Sequence, residues 1–128
     1  MIKYDNSINI RTQPLKKGRI KMDLSKKLDK IIETVKTRVE REIPDKGYFR
    51  NFAENFDNVA LFIERDEERE GRAFLGISVL HPQIKVDATT YLMNGDRETI
   101  LKYLKDPELN SKLQDKITKL SNSLKDVR

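Results

Sequence analysis

The sequence predicts an α+β fold in a single domain: a three-stranded antiparallel meander packed on two long amphipathic helices, with order (β)-α-(short α)-β-β-β-α-α. Three observations predict it. Val59, Leu61 and Ile63, and then Ala73, Leu75, Ile77 and Val79, recur with the period of two that marks half-buried strands. Leu24, Leu28, Ile31, Ile32, Val35 and Val39 recur at helical spacing, as do Leu109, Leu113, Ile117, Leu120 and Leu124. No glycine- or serine-rich linker divides the chain.

Composition bounds the rest. A chain of 128 residues buries roughly two-thirds of its unfolded surface around one core. With no cysteine there is no disulfide, thiolate nucleophile or cysteine-ligated metal, which fits a reducing compartment. No apolar run approaches the ~18 residues of a membrane span, and the first residues lack the apolar core of a signal peptide, so a cytoplasmic location is expected. Charged residues make up 37% of the chain, so each helix is expected to bury only a narrow stripe.

The elements follow in order. Ile2, Tyr4, Ile8 and Ile10 share one parity and permit an N-terminal edge strand that Pro14 would end. Residues 15–19 read as a loop, after which Asp23 or Ser25 is placed to cap the first long helix. Pro44 ends that helix, and Pro44-Asp45-Lys46-Gly47 is turn chemistry with Gly47 free to take positive φ. Phe49, Phe52 and Phe56, spaced three and four apart beside Tyr48, suggest a short helix whose rings plug the end of the core. A base-stacking platform is the competing reading of these rings, disfavoured because Glu54 and Asp57 offset Lys46 and Arg50.

The first two meander strands are joined by a charged loop, residues 65–72, whose carboxylates lack the order of a calcium loop. Pro82 marks the next turn, and the third strand is expected over Ile84–Met93. Val86, Ala88, Thr90 and Leu92 would then share one side, and Lys85, Asp87, Thr89, Tyr91 and Met93 the other. Asn94-Gly95-Asp96 leads into a short helix burying Ile100, Leu101 and Leu104, and Asp106-Pro107 opens the last helix.

Function is less legible. The net charge of +5 is confined to residues 1–22, where Lys3, Arg11, Lys16, Lys17, Arg19 and Lys21 stand against Asp5 alone; residues 23–128 carry twenty charges of each sign. This divides the chain into a basic arm or edge strand, 1–22, and the α+β domain, 23–128. Arg11, Lys16, Lys17, Arg19 and Lys21 are the candidates for phosphate contacts if the partner is a nucleic acid.

His81 is the sole histidine, and Ser78 and Asp87 are the only groups near it in the meander that would make it a catalytic base. A histidine before proline in a turn is expected to be structural. No catalytic residue, metal site, cofactor or small-molecule ligand is therefore assigned. The sheet face opposite the helices carries Phe62, Phe74, Leu80, Tyr91 and Met93 among polar residues, too apolar for a freely solvated face. These five are the candidate interface of a non-enzymatic interaction module that pairs with itself as a homodimer or with a protein partner. In element order alone, helix, three-strand meander, helix, the chain resembles small bacterial nucleoid-associated proteins of the YbaB type, which implies a dimeric DNA binder and transfers no site residue.

Overall fold

The computed structural model describes residues 17–126, with side chains from residue 24 onward. Helix α1 (Lys17–Glu42) is followed by strands β1 (Phe52–Phe56), β2 (Val59–Arg65), β3 (Arg72–Leu80) and β4 (Asp87–Asp96), then helices α2 (Arg97–Leu104) and α3 (Leu109–Leu124). The four strands form one antiparallel sheet in sequence order, β1-β2-β3-β4. The fold is α+β.

Each expected apolar stripe is buried. Leu28, Ile31, Ile32, Val35 and Val39 of α1, Ile100, Leu101 and Leu104 of α2, and Leu109, Leu113, Ile117 and Leu124 of α3 meet the sheet residues Val59, Leu61, Ile63, Ala73, Leu75, Ile77 and Val79 in one core. Helix α1 packs on β1 and β2, and α3 packs on β3 and β4. The helices thus line a single side of the sheet, and among the described residues nothing covers the other side.

Four expectations are corrected. The aromatic stretch after the first turn is strand β1, not a short helix, which makes the sheet four-stranded. Phe52 and Phe56 do point toward the helices, but the residue between them on that side is Glu54, held by Arg38 of α1 at 2.8 Å. That buried-side carboxylate interrupts the alternation a strand would show. Phe49 and Phe52 are buried as core rings, while Tyr48 is 70% exposed beneath the Arg65 guanidinium.

The expected loop over residues 15–19 is helical from Lys17 onward. The expected edge strand at Ile2–Ile10 lies outside the described residues. The last helix runs from Leu109 rather than from Pro107; in the turn before it the Asp106 carboxylate accepts from the Glu108 amide (2.9 Å) and from Lys112 of the helix. The observed order of one helix, four strands and two helices also departs from the order on which the resemblance to nucleoid-associated proteins rested.

The fourth correction bears on the candidate interface. β4 runs over Asp87–Asp96, and its register against β3 shifts by one residue between Leu75 and Gly76: Gly76 pairs with Tyr91, but Leu75 pairs with Met93. Leu92 is the extra residue of a β-bulge. Beyond it the parity inverts, so Met93 packs against the core rather than joining the outer face.

Candidate functional site: the open sheet face

Strand pairing places the outer-face residues in rungs across the sheet. One rung reads Ala53, Phe62, Gly76, Tyr91; the next toward the hairpin loop reads Glu64, Phe74, Asn94; the next in the opposite direction reads Asn55, Ala60, Ser78, Thr89. The face therefore has an aromatic ridge beside a row of small residues.

Gly76 is what lets the ridge form. The ring of Phe62 lies across it, and a Cβ built there would sit 2.7 and 2.8 Å from two of the ring's carbons. Phe62 reaches over the middle strand to meet Tyr91 edge-on, with centroids 5.8 Å apart and planes at 78°. Phe74 tilts onto the same tyrosine at 5.2 Å. Edge-to-face and tilted pairs of this kind are attractive beyond the area they bury. Tyr91 Oη donates to Glu64 at 2.8 Å, so the carboxylate raises the phenol pKa by favouring its protonated form.

The ridge is half open. Phe62 and Phe74 are partly buried, each against Tyr91, whereas Tyr91 remains 55% exposed. Leu80 lies at the far end of the same face, 47% exposed, and Ile84 and Val86 of the β3–β4 turn are exposed as well. That turn is closed by His81, whose Nδ1 accepts the amides of Gln83 (3.0 Å) and Ile84 (3.3 Å). Of the five predicted interface residues, the structure thus brings Phe62, Phe74 and Tyr91 together, keeps Leu80 on the same face at its end, and removes Met93.

Sequence reasoning placed Ser78 and Thr89 on this face but missed Gly76, Glu64 and Ala60, and with Ala60 the small-residue row that the three form. A glycine inside a strand of otherwise regular alternation was the available signal, because it marks a close approach by a neighbour.

The other candidates are not assembled into sites. No hydrogen bond joins His81 to Ser78 or Asp87 among the described residues, and the imidazole's one acceptor nitrogen is taken by the turn amides. Among the described residues no cluster of three or more histidine or carboxylate side chains is placed to hold a metal ion, and no helix is long and apolar enough to cross a membrane. Of the basic candidates, Lys17, Arg19 and Lys21 fall in the first turns of α1, while Arg11 and Lys16 lie outside the described residues.

Among the described residues Asp66 is the one buried charged residue. Its carboxylate accepts from Asn94 Nδ2 (3.0 Å) and the Glu68 amide (2.9 Å), and those bonds, the first foremost, hold its pKa below the usual range. It fastens the hairpin loop to β4, a structural task. Compared with protein-family models, with curated proteins and with solved structures, the chain matches none.

Proposed function

We propose that the protein is a non-enzymatic interaction module whose open sheet face docks a second copy of the same chain. The observation that carries this reading is the ridge of Phe62, Phe74 and Tyr91 standing beside the small-residue row Ala60, Ser78 and Thr89. A twofold axis between the rows seats the ridge of one copy over the shallow row of the other, and the same contact is made twice.

The size of the face is consistent with this and close to the limit. Strands about 4.8 Å apart and some seven residues long at about 3.4 Å each give a projected area on the order of 450 Å² per copy. Two copies then bury about 900 Å², near the ~1,000 Å² lower bound of specific interfaces. The rings standing above the sheet plane add to that figure by interdigitating, which makes them the energetic centre of the contact.

Phe74→Asp tests the reading, since a carboxylate at the ridge would be desolvated in the complex without a partner. By sedimentation the wild-type chain is expected to self-associate at tens of micromolar and the variant to associate markedly less, with both retaining the same helix and strand content. A wild-type chain that stays monomeric at that concentration, or a variant that associates equally well, overturns it.

A further inference from the structure

The two edges of the sheet are managed differently. β1 is five residues long, carries Glu54 at its centre, and lies against α1. Those are the ordinary protections of an edge strand: shortness, charge and cover. β4 is ten residues long and has no charged residue and no proline between Asp87 and Asp96. It forms the other edge, with nothing among the described residues hydrogen-bonded beyond it.

The ladder fixes which of its backbone groups are free. The Leu80 amide donates to Asn58 O at 2.8 Å, so the polar groups of Leu80 point toward β2 and its pairing with Asp87 is of the non-hydrogen-bonded kind. The His81 amide donates to Val86 O at 2.7 Å, which sets the same alternation from the next rung. In strict alternation, Ala88 and Thr90 bond to β3, and the N–H and C=O groups of Asp87, Thr89 and Tyr91 point outward from the sheet. All three residues are exposed. Their regular spacing ends at Tyr91, because the bulge at Leu92 follows.

We propose that this edge is a second self-association surface, in which β4 of one copy pairs antiparallel with β4 of another about a twofold axis through Thr89. The proposal is distinct from docking through the open face and does not depend on it. Thr89 is the one centre that uses all three free residues: Thr89 faces its own mate, and Asp87 faces Tyr91 of the other copy in both directions. Each of the three pairs exchanges two bonds, giving about six in all.

The side chains agree with this register. On the outer face the pairs are Thr89 with Thr89 and Asp87 with Tyr91, and on the helix side Ala88 meets Thr90. No two like charges stand opposite each other, and threonine pairs are favourable cross-strand neighbours. The axis is perpendicular to the sheet, so the two sheets become one of eight strands with both aromatic ridges on the same side.

Cysteine cross-linking tests the register, because the protein has no cysteine of its own. Thr89→Cys puts a thiol opposite its own mate at a Cα separation of about 5.5 Å, within disulfide reach. Asn55→Cys, exposed on the same rung but at the β1 edge, is the collision control. Both are made in the Phe74→Asp background, which removes face docking. The expected result is a covalent dimer under mild oxidation from Thr89→Cys and none from Asn55→Cys.

Thr89→Pro, which deletes an outward N–H and leaves the β3 ladder intact, is expected to weaken edge association about a hundredfold, a factor of about ten for each bond lost between the two mates. Absence of the Thr89→Cys dimer, including the case in which residues 2–10 of the same chain occupy the edge, overturns the proposal. Equal cross-linking from both cysteines, or a Thr89→Pro variant that pairs as tightly as the parent, does so as well.

Discussion

Gly76→Ala gives the sharpest test of how the ridge is built, because its effect is expected to change sign with one neighbour. A strand-interior glycine is destabilising by roughly 0.5–1 kcal/mol relative to alanine, so on backbone entropy alone the substitution should help. The three atoms nearest to a Cβ at this position all belong to the Phe62 ring, and the ring has to move. Moving it forfeits the edge-to-face contact with Tyr91, about 0.5–1.5 kcal/mol, and the strain of an overfilled site adds about 1–3 kcal/mol where the ring cannot swing clear. The balance is a net destabilisation of about 1–2 kcal/mol.

With Phe62→Ala in place the obstacle is gone, and the same Gly76→Ala change is expected to stabilise by about 0.5 kcal/mol or more. Urea unfolding of the four chains, analysed as a double-mutant cycle at a protein concentration below the association range, measures the coupling directly. Equal effects of Gly76→Ala in both backgrounds would refute the argument that Phe62 lies on Gly76, and with it the reason the ridge exists.

Two other outcomes are expected. Gly71→Ala should cost about 2–4 kcal/mol, since the residue sits at φ +73° and a Cβ there would run into the backbone carbonyl of Asp45, which has no rotamer to escape with; thermal denaturation would show the loss, and a neutral result would contradict the packing of the hairpin loop on the Pro44–Gly47 turn. The carboxyl pKa values of Glu42, held down chiefly by its Arg38 bond, of Asp66 by Asn94, of Asp96 by the Thr99 amide, and of Asp106 by Lys112 are all lowered in the folded chain. Stability from these groups is therefore complete above the unfolded-state values of about 4 and is lost as pH falls through the folded ones, so unfolding midpoints should be level from neutrality down to about pH 5 and drop below about pH 4.

The elements that were legible in the sequence are those whose inward positions are uniformly apolar. The stripes of α1 and α3 and the alternation of β2 and β3 are of that kind, and the turn at Pro44–Gly47 was marked by its own chemistry, with Gly47 at φ +95°. β1 escaped notice because Glu54 occupies an inward position that becomes tolerable only once Arg38, on another element, is there to pair with it. Met93 was assigned to the wrong side because a bulge adds one residue without any change in residue type, and a single extra residue inverts every later side chain. The aromatic face was readable by parity alone, whereas the contact of Phe62 across Gly76 depends on strand register, which parity does not specify.

Labelling of tyrosines by a phenol-selective reagent tests most directly whether the open face is occupied by a second copy. Tyr91 stands at the crest of the ridge, 55% exposed, and Tyr48, 70% exposed and stacked under Arg65, serves as the internal standard away from it. As concentration rises from about 1 to about 100 μM, across the range in which a micromolar interface fills, Tyr91 modification is expected to fall several-fold relative to Tyr48. A Tyr91-to-Tyr48 ratio that stays constant over that range would contradict self-docking through the open face.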